Sequence, residues 1–166
     1  QREDSADLYK KGERPELVEA EIRKRLGKSG GEITAQDMAK LTSFHLRSRK
    51  VTDISPLKSA TNMDEIGIQE CTISDLTALA GMKNMKRLEA ARNQIADLSP
   101  LAELTNLRYL GLGQNQITDL SPLTGLKQLT SLILHDNPKL TRAEIDKLKK
   151  ALPNCVIPVS YTHLTL

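Results

Sequence analysis

The segment at residues 107–128 decides the fold of this chain, and it reads LRYLGLGQNQITDLSPLTGLKQ. Its apolar residues fit neither one continuous helix nor one alternating strand. They predict a short strand, a tight turn and a second short apolar segment that returns toward the start. One such unit cannot bury its own apolar stripe, so the pattern predicts neighbouring copies that cover it.

The segment recurs every 22 residues, which is the spacing from Leu107 to Leu129. Copies begin at Leu41, Met63, Met85, Leu107 and Leu129. In each copy, apolar residues occupy the fourth and sixth positions, on one face of a strand whose side chains alternate. The thirteenth position of the first four copies is aspartate, at Asp53, Asp75, Asp97 and Asp119. Copies in one register predict stacked units with a shared core.

The ninth position of the copies predicts a ladder of side chains at the end of each strand. It holds Cys71, Asn93, Asn115 and Asn137 in the second to fifth copies. An asparagine amide both donates and accepts, so a stacked row can satisfy backbone groups where the chain bends. Cys71 is a small, weakly hydrogen-bonding replacement. Arg49 takes this position in the first copy, where we expect its guanidinium to reach water.

The pattern L-x-x-L-x-L-x-x-N/C-x-L resembles the leucine-rich repeat. Its continuation, I-x-D-[LI]-x-P-L, is similar to the bacterial internalin-like subtype. The resemblance spans residues 41–140, departs from the pattern at Arg49 and Ala90, and changes in the fifth copy after Asn137. It implies an α/β repeat fold, a right-handed solenoid with parallel strands on its concave face. It also implies a protein-binding module that is secreted, periplasmic or associated with the cell envelope.

We expect the chain to divide into five parts. These are a flexible leader (1–14), an N-terminal helical cap (15–40), five repeats (41–140), a C-terminal cap (141–158) and a non-native tail (159–166). The leader is charged and poor in apolar residues. The caps would cover core and strand edges that the first and last repeats otherwise leave open.

The N-terminal cap carries two helix signals. Pro15 suits a first helical turn, and Gly27 predicts the end of that helix. Thr34 and Asp37 resemble a capping box, which predicts a short helix through Lys40.

The C-terminal cap carries similar signals. Thr141 and Glu144 predict a capping box that opens a helix through about Leu152. Pro153 ends this helix, and residues 154–157 can then supply a final edge strand.

The last eight residues, VSYTHLTL, resemble a translated adapter from transposase-based sequencing libraries. We therefore expect residues 159–166 to make no consistent core contacts, and they play no part in the functional argument. The same interpretation predicts that the native C-terminus is missing. A natural tail that matches by chance is the alternative. The chain begins at Gln1, which leaves an unseen signal segment open.

The composition argues against several classes of protein. The formal net charge is +3 with both signs mixed, and aromatic residues make up only 2%. The basic stripe with interleaved aromatics that marks a nucleic-acid partner is missing from the sequence. No apolar run approaches the ~18 residues of a membrane span. Cys71 and Cys155 are too far apart in the stack to bridge, so we expect two free, mostly buried thiols. We expect a monomer without a cofactor.

The sequence contains no motif that predicts catalysis or a metal site. His45 and His135 lie four repeats apart, about 19 Å by strand spacing, which is too far to share a metal ion. The aspartate ladder could suggest calcium, but one carboxylate per turn does not build a cage of about six to eight oxygens. We expect Asp53 and its equivalents to accept backbone N–H bonds in the tight turn instead.

The concave face holds the candidate partner-binding residues, Arg87, Glu89, Tyr109, Gly111, Ile133 and His135. An exposed tyrosine over a flat floor made by Gly111 and Gly113, beside exposed Ile133 and His135, can anchor a protein partner. The competing interpretation is that Tyr109 merely covers the sheet. The predicted function is non-catalytic protein binding through the concave face. The alternative is a structural spacer, or a fragment of a larger bacterial surface protein, with no ligand on these repeats.

Overall fold

The computed structural model describes residues 15–158, which form three α-helices and five β-strands. The helices are α1 (Pro15–Leu26), α2 (Ala35–Met38) and α3 (Arg142–Ala151). The strands are β1 (Ser43–His45), β2 (Glu65–Gly67), β3 (Arg87–Glu89), β4 (Tyr109–Gly111) and β5 (Ser131–Ile133). Short 3-10 helices follow the first four strands at Ser55–Leu57, Thr77–Leu79, Ser99–Leu101 and Ser121–Leu123. The predicted leader and the predicted tail lie outside the described residues.

The five strands form one parallel sheet in chain order, β1-β2-β3-β4-β5. Every residue pairs with its equivalent one repeat later, so that Leu88 lies opposite Leu110 and Leu110 opposite Leu132. Paired residues are therefore 22 positions apart, which is the period of the sequence. The predicted solenoid of parallel strands, with helices at both ends, is confirmed.

A single apolar core runs through the stack and into both end helices. Leu110 and Leu112 have no exposed surface, and neither do their equivalents Leu88 and Ala90 in the preceding repeat. Burying a leucine side chain contributes about 1.5–3 kcal/mol relative to leaving it exposed. Each repeat obtains that contribution only from its neighbours, so the stability of the array is shared along its length.

The asparagine ladder joins the turn of each repeat to the backbone of the one before it. The Asn115 side chain accepts from the Ile95 N–H at 3.0 Å and donates to the Ala90 carbonyl at 3.0 Å. Asn93 and Asn137 make equivalent bonds one repeat before and one repeat after. All three side chains are buried. The ladder therefore satisfies buried turn backbone, as the sequence predicts.

The ladder is weaker at its N-terminal end. The Cys71 thiol lies 3.5 Å from the Leu46 carbonyl, a contact in which sulfur is a poor donor. The Arg49 side chain is exposed, as expected for the first copy. Thr72 compensates in part, because its hydroxyl donates to the Arg49 carbonyl at 2.7 Å.

The residue just before each inner ladder position has a left-handed backbone. These residues are Glu70 (φ 54°), Arg92 (φ 60°), Gln114 (φ 56°) and Asp136 (φ 58°). The conformation costs an L-residue with a side chain roughly 1–2 kcal/mol. It persists because the turn it creates lets the Gln114 N–H donate to the His135 carbonyl at 2.8 Å.

The aspartate ladder closes the next turn of each repeat. Asp119 accepts a hydrogen bond from the Ser121 N–H at 2.8 Å, and the other three aspartates bond the residue two positions ahead in the same way. Hydrogen bonds from Ser99 and Ser121 hold the pKa of Asp97 and of Asp119 below the usual range. The predicted role of these carboxylates in the turn is confirmed.

Helix α1 covers the open side of the first repeat. Val18 and Ile22 are buried against the core, and Gly27 ends the helix with a φ of 63°. The Arg25 guanidinium donates to the Ser43 hydroxyl at 3.0 Å and to the Ser43 carbonyl at 3.3 Å. A cation placed on the outer edge of β1 discourages pairing with another strand.

The capping box predicted for helix α2 is confirmed. The Thr34 hydroxyl accepts from the Asp37 N–H at 3.1 Å, and the Asp37 carboxylate accepts from the Thr34 N–H at 2.9 Å. The Lys28 ammonium, 2.7 Å away, and the Thr34 N–H hold the pKa of Asp37 well below its usual range. Helix α2 ends at Met38, so the predicted end at Lys40 is two residues too late.

The second predicted capping box is wrong in one half. The Thr141 hydroxyl accepts from the Glu144 N–H at 3.2 Å, as predicted. The Glu144 carboxylate, however, accepts from the Leu120 N–H at 3.0 Å in the preceding repeat. It therefore fastens α3 to the stack by satisfying a donor there, while Ile145 and Leu148 bury the apolar face of the helix.

The predicted final edge strand is reduced to a single bridge between Val156 and Ser131. Pro158 has no N–H with which to continue the pairing. Both cysteines are free, as expected, but Cys155 is only half-buried.

We expect Asn115→Ala to destabilise the protein by about 1–3 kcal/mol, because it leaves the buried Ile95 N–H without its partner and removes one of the two side-chain hydrogen bonds to the Ala90 carbonyl. Chemical denaturation measures the change. The matched control is Asn106→Ala, since Asn106 is half-buried and donates one bond, to the Lys83 carbonyl at 2.8 Å. Equal losses in the two variants would contradict the ladder.

A second stability prediction concerns the left-handed turn. We expect Gln114→Gly to stabilise the protein by up to about 1 kcal/mol, because glycine adopts φ 56° without steric cost. Gln116 is also exposed but lacks a positive φ, so Gln116→Gly should instead destabilise by roughly 0.5–1 kcal/mol. Thermal melts of the two variants should move in opposite directions, and a shared direction would refute the turn geometry.

Candidate functional site

The candidate site is the exposed face of the sheet, to which each strand contributes alternate side chains. Because equivalent residues lie side by side, the outward positions form rows that cross the repeats. The first row is Ser43, Glu65, Arg87, Tyr109 and Ser131. The second row is His45, Gly67, Glu89, Gly111 and Ile133. The third row is Arg47, Gln69, Ala91, Gly113 and His135.

Three of the predicted site residues form one connected group, which we call the tyrosine cluster (Arg87, Tyr109 and Glu89). The Arg87 guanidinium lies 3.8 Å from the centroid of the Tyr109 ring. The Tyr109 hydroxyl donates to the Glu89 carboxylate at 2.8 Å. Partial burial and the neighbouring Glu89 raise the pKa of Tyr109. The cluster therefore presents a fixed, half-buried tyrosine rather than a freely moving one.

Gly111 and Gly113 do not form the bare floor that the sequence suggests. A Cβ on Gly111 would lie 2.5 Å from both carboxylate oxygens of Glu89, and a Cβ on Gly113 would lie 2.6 Å from the His135 ring. Neighbouring polar side chains thus lie flat over both glycines. Ile133 is half-buried and His135 is exposed, so the expected exposed isoleucine is only partly accessible.

The tyrosine cluster continues toward the N-terminal cap. Arg87 lies 3.5 Å from the Glu65 carboxylate, and the His45 ring lies 3.4 Å from the same oxygen. On its other side, His45 is 3.4 Å from the Arg25 guanidinium of α1. Arg87, Glu65, His45 and Arg25 therefore form a continuous row of polar contacts that runs from the third repeat into the cap.

A second group, the Glu70 cluster (Arg47, Glu70 and Arg92), is absent from the sequence prediction. Arg47 donates twice to the Glu70 carboxylate, at 2.9 and 2.6 Å, and Arg92 donates to it from the next repeat. Hydrogen bonds from Arg47 and then Arg92 hold the pKa of Glu70 below its usual range. The cluster depends on the left-handed backbone of Glu70 and Arg92, which the residue types do not reveal.

The described residues bring together no three metal-ligating side chains of the His, Cys, Asp and Glu types. His45 pairs with Glu65, whereas His135 contacts Asp136 at 2.8 Å at the other end of the sheet. Between residues 15 and 158, no helix has the length and apolar character that a membrane crossing requires.

Comparison with known proteins finds similarity to leucine-rich repeat proteins. The family model for leucine-rich repeats in two copies matches residues 83–125 and 105–154. An internalin from Listeria monocytogenes superposes with a TM-score of 0.78 at 28% identity, covering 85% of this chain and 41% of the internalin. A leucine-rich repeat protein from Leptospira interrogans superposes with a TM-score of 0.62 at 26% identity, and the match covers 72% of this chain and 30% of the Leptospira protein. The chain thus spans less than half the length of either structure. No curated protein sequence matches it.

The stacked repeats and these matches show that the chain has the leucine-rich repeat fold. Within that fold class it is similar to the bacterial internalins, both in its 22-residue unit and in its superposition on the Listeria internalin. Repeats of this class suggest a protein-interaction module, and the fold is of a typically non-catalytic type.

The tyrosine cluster predicts non-additive substitutions. Gly111→Ala should push the Glu89 carboxylate off the strand, because the added carbon would lie 2.5 Å from it. Tyr109→Phe removes the hydrogen bond to the same carboxylate and should cost about 0.5–1.5 kcal/mol alone. We expect a smaller cost when Ala already stands at position 111. Denaturation of the single and double variants measures the coupling, and strictly additive losses would contradict the contact.

Proposed function

We propose that this protein binds a protein partner through its concave face and catalyses no reaction there. The observation that carries the proposal is the tyrosine cluster, in which a half-buried tyrosine is fixed between Arg87 and Glu89. Tyrosine and arginine are enriched among residues that dominate binding energy. Side chains that are already ordered lose less conformational entropy when a partner binds.

The remaining predicted residues complete this surface. Ile133 and His135 lie on the strand next to Gly111 and Gly113, where they extend the face beyond the tyrosine cluster. We propose that the protein acts as a monomer, because Arg25 occupies one sheet edge and Val156 bridges the other. We also propose a secreted, periplasmic or envelope location, which the internalin-like resemblance favours.

The second candidate function is a structural spacer within a longer surface protein. Two observations favour it. The chain covers only 41% of the matching internalin, and many charged side chains on the concave face already pair with one another. A spacer would hold other domains apart and would bind nothing on these repeats.

Affinity capture distinguishes the two functions. The full chain is the bait, and bacterial envelope and culture-supernatant fractions are the source of partners. The concave variant carries Tyr109→Ala with Ile133→Asp, which alters the exposed face and leaves the buried leucines intact. The matched control carries Lys58→Ala with Glu103→Ala, two exposed positions away from the strands.

We expect a protein that is retained by the native bait and by the control but is lost from the concave variant. Melting curves of all three baits establish that each is folded. If every captured protein is retained equally by the concave variant, the binding proposal fails and the spacer function is favoured.

A further inference from the structure

The N-terminal half of the concave face contains a groove over Gly67. Its walls include Arg47 and Gln69 on one side and Arg87 and Glu89 on the other. Residues 45–92 contain eight basic and six acidic side chains, so composition alone does not predict a strong charge preference for the groove. The fold decides which charged side chains of the groove are exposed and which are partly buried.

The Glu70 cluster places its cations outward and its anion inward. The Glu70 side chain is 17% exposed, whereas Arg47 is 60% and Arg92 is 49% exposed. Two guanidinium groups share one carboxylate, so the cluster keeps one net positive charge at the surface. Arg47 uses its Nε and Nη2 atoms on Glu70, which leaves the N–H groups of Nη1 available.

The opposite wall of the groove carries one cation, Arg87, and two carboxylates, those of Glu65 and Glu89. Both oxygens of Glu89 already accept hydrogen bonds, one from the Ala91 N–H at 3.1 Å and one from the Tyr109 hydroxyl. Arg87 is 47% exposed, and its carboxylate contact, with Glu65, is 3.5 Å long. The unused donors of the groove are therefore concentrated at Arg47, on the side of the Glu70 cluster, and at the exposed Arg87 guanidinium.

We propose that this groove binds acidic side chains, aspartate or glutamate, of the protein partner. The inference rests on the proposed function and specifies which chemistry the concave face selects. A guanidinium fork matches a carboxylate in shape as well as in charge. The partner segment would place its carboxylates between Arg47 and Arg87.

An acidic protein fits this groove better than a polyanion such as a nucleic acid or a sulfated glycan. Binding of a polyanion depends on uncompensated positive charge along a stripe. Here Arg47, Arg87 and Arg92 are balanced by Glu65, Glu70 and Glu89, so the groove is polarised but formally neutral. Such a surface favours local pairing with single carboxylates.

Fluorescence anisotropy with defined probes tests the proposal on the full chain. Two labelled dodecapeptides share their apolar residues, and one carries four glutamates where the other carries four lysines. A labelled heparin-derived oligosaccharide is the third probe. We expect the acidic peptide to bind more tightly than the basic one, and its affinity to fall as salt is added.

Substitutions in the Glu70 cluster separate a binding role from a structural role. Arg47→Gln cancels the surplus charge and should weaken the acidic peptide about threefold to fivefold, the range of an exposed ion pair. Glu70→Gln increases the surplus and should strengthen it. Lys150→Gln changes the net charge by the same amount as Arg47→Gln at an exposed site on α3 and should have no effect.

Three results would overturn the inference. They are equal binding of the two peptides, weaker binding of the acidic peptide to the Glu70→Gln variant, and binding of the oligosaccharide that is tighter than that of the acidic peptide and depends on Arg47. The capture experiment with the Tyr109 and Ile133 variant does not depend on peptide charge. It can therefore succeed when this inference fails, and the two failures are distinguishable.

Discussion

The hydrogen bonds of the asparagine ladder are the constraint on which the rest of this structure depends. Asn115 accepts from Ile95 and donates to Ala90, so one buried amide fixes the position of its repeat against the preceding one. An error of one residue in this register would leave the amide and both backbone groups unpaired in the core, and it would turn the leucines toward water. The constant 22-residue spacing of the repeats places each asparagine where it can make these bonds.

The same register determines what the concave face can present. Residues one repeat apart become neighbours, which brings Arg87 over the Tyr109 ring and Arg92 onto Glu70. Small residues let longer neighbours lie flat, as Glu89 does over Gly111. The backbone register thus fixes which charged side chains are neighbours on this face. These side chains are already ordered before a partner binds.

The parts of this structure that repeat, or that depend on local signals, could be predicted from the sequence. The strand register follows from Leu88, Leu110 and Leu132, and the capping box follows from Thr34 and Asp37. The Glu70 cluster could not be predicted, because it needs a left-handed backbone at a residue that is not glycine. The sequence predicts a bond from Glu144 within its own helix because a local partner is the usual one, whereas its actual partner, the Leu120 N–H, is 24 residues away. Ile133 is less exposed than the sequence predicts, because the strand pattern gives the direction of a side chain but not how far neighbouring side chains cover it.

Native-state hydrogen exchange tests the central claim most directly. The Ile73, Ile95 and Ile117 N–H groups each donate to the side-chain oxygen of an asparagine one repeat later. They lie outside the strands, so only the ladder and the packing around it can protect them. The account predicts that these three amides exchange at the rate set by global unfolding. Exchange at the rate of an exposed loop would show that the ladder does not hold the repeats in register.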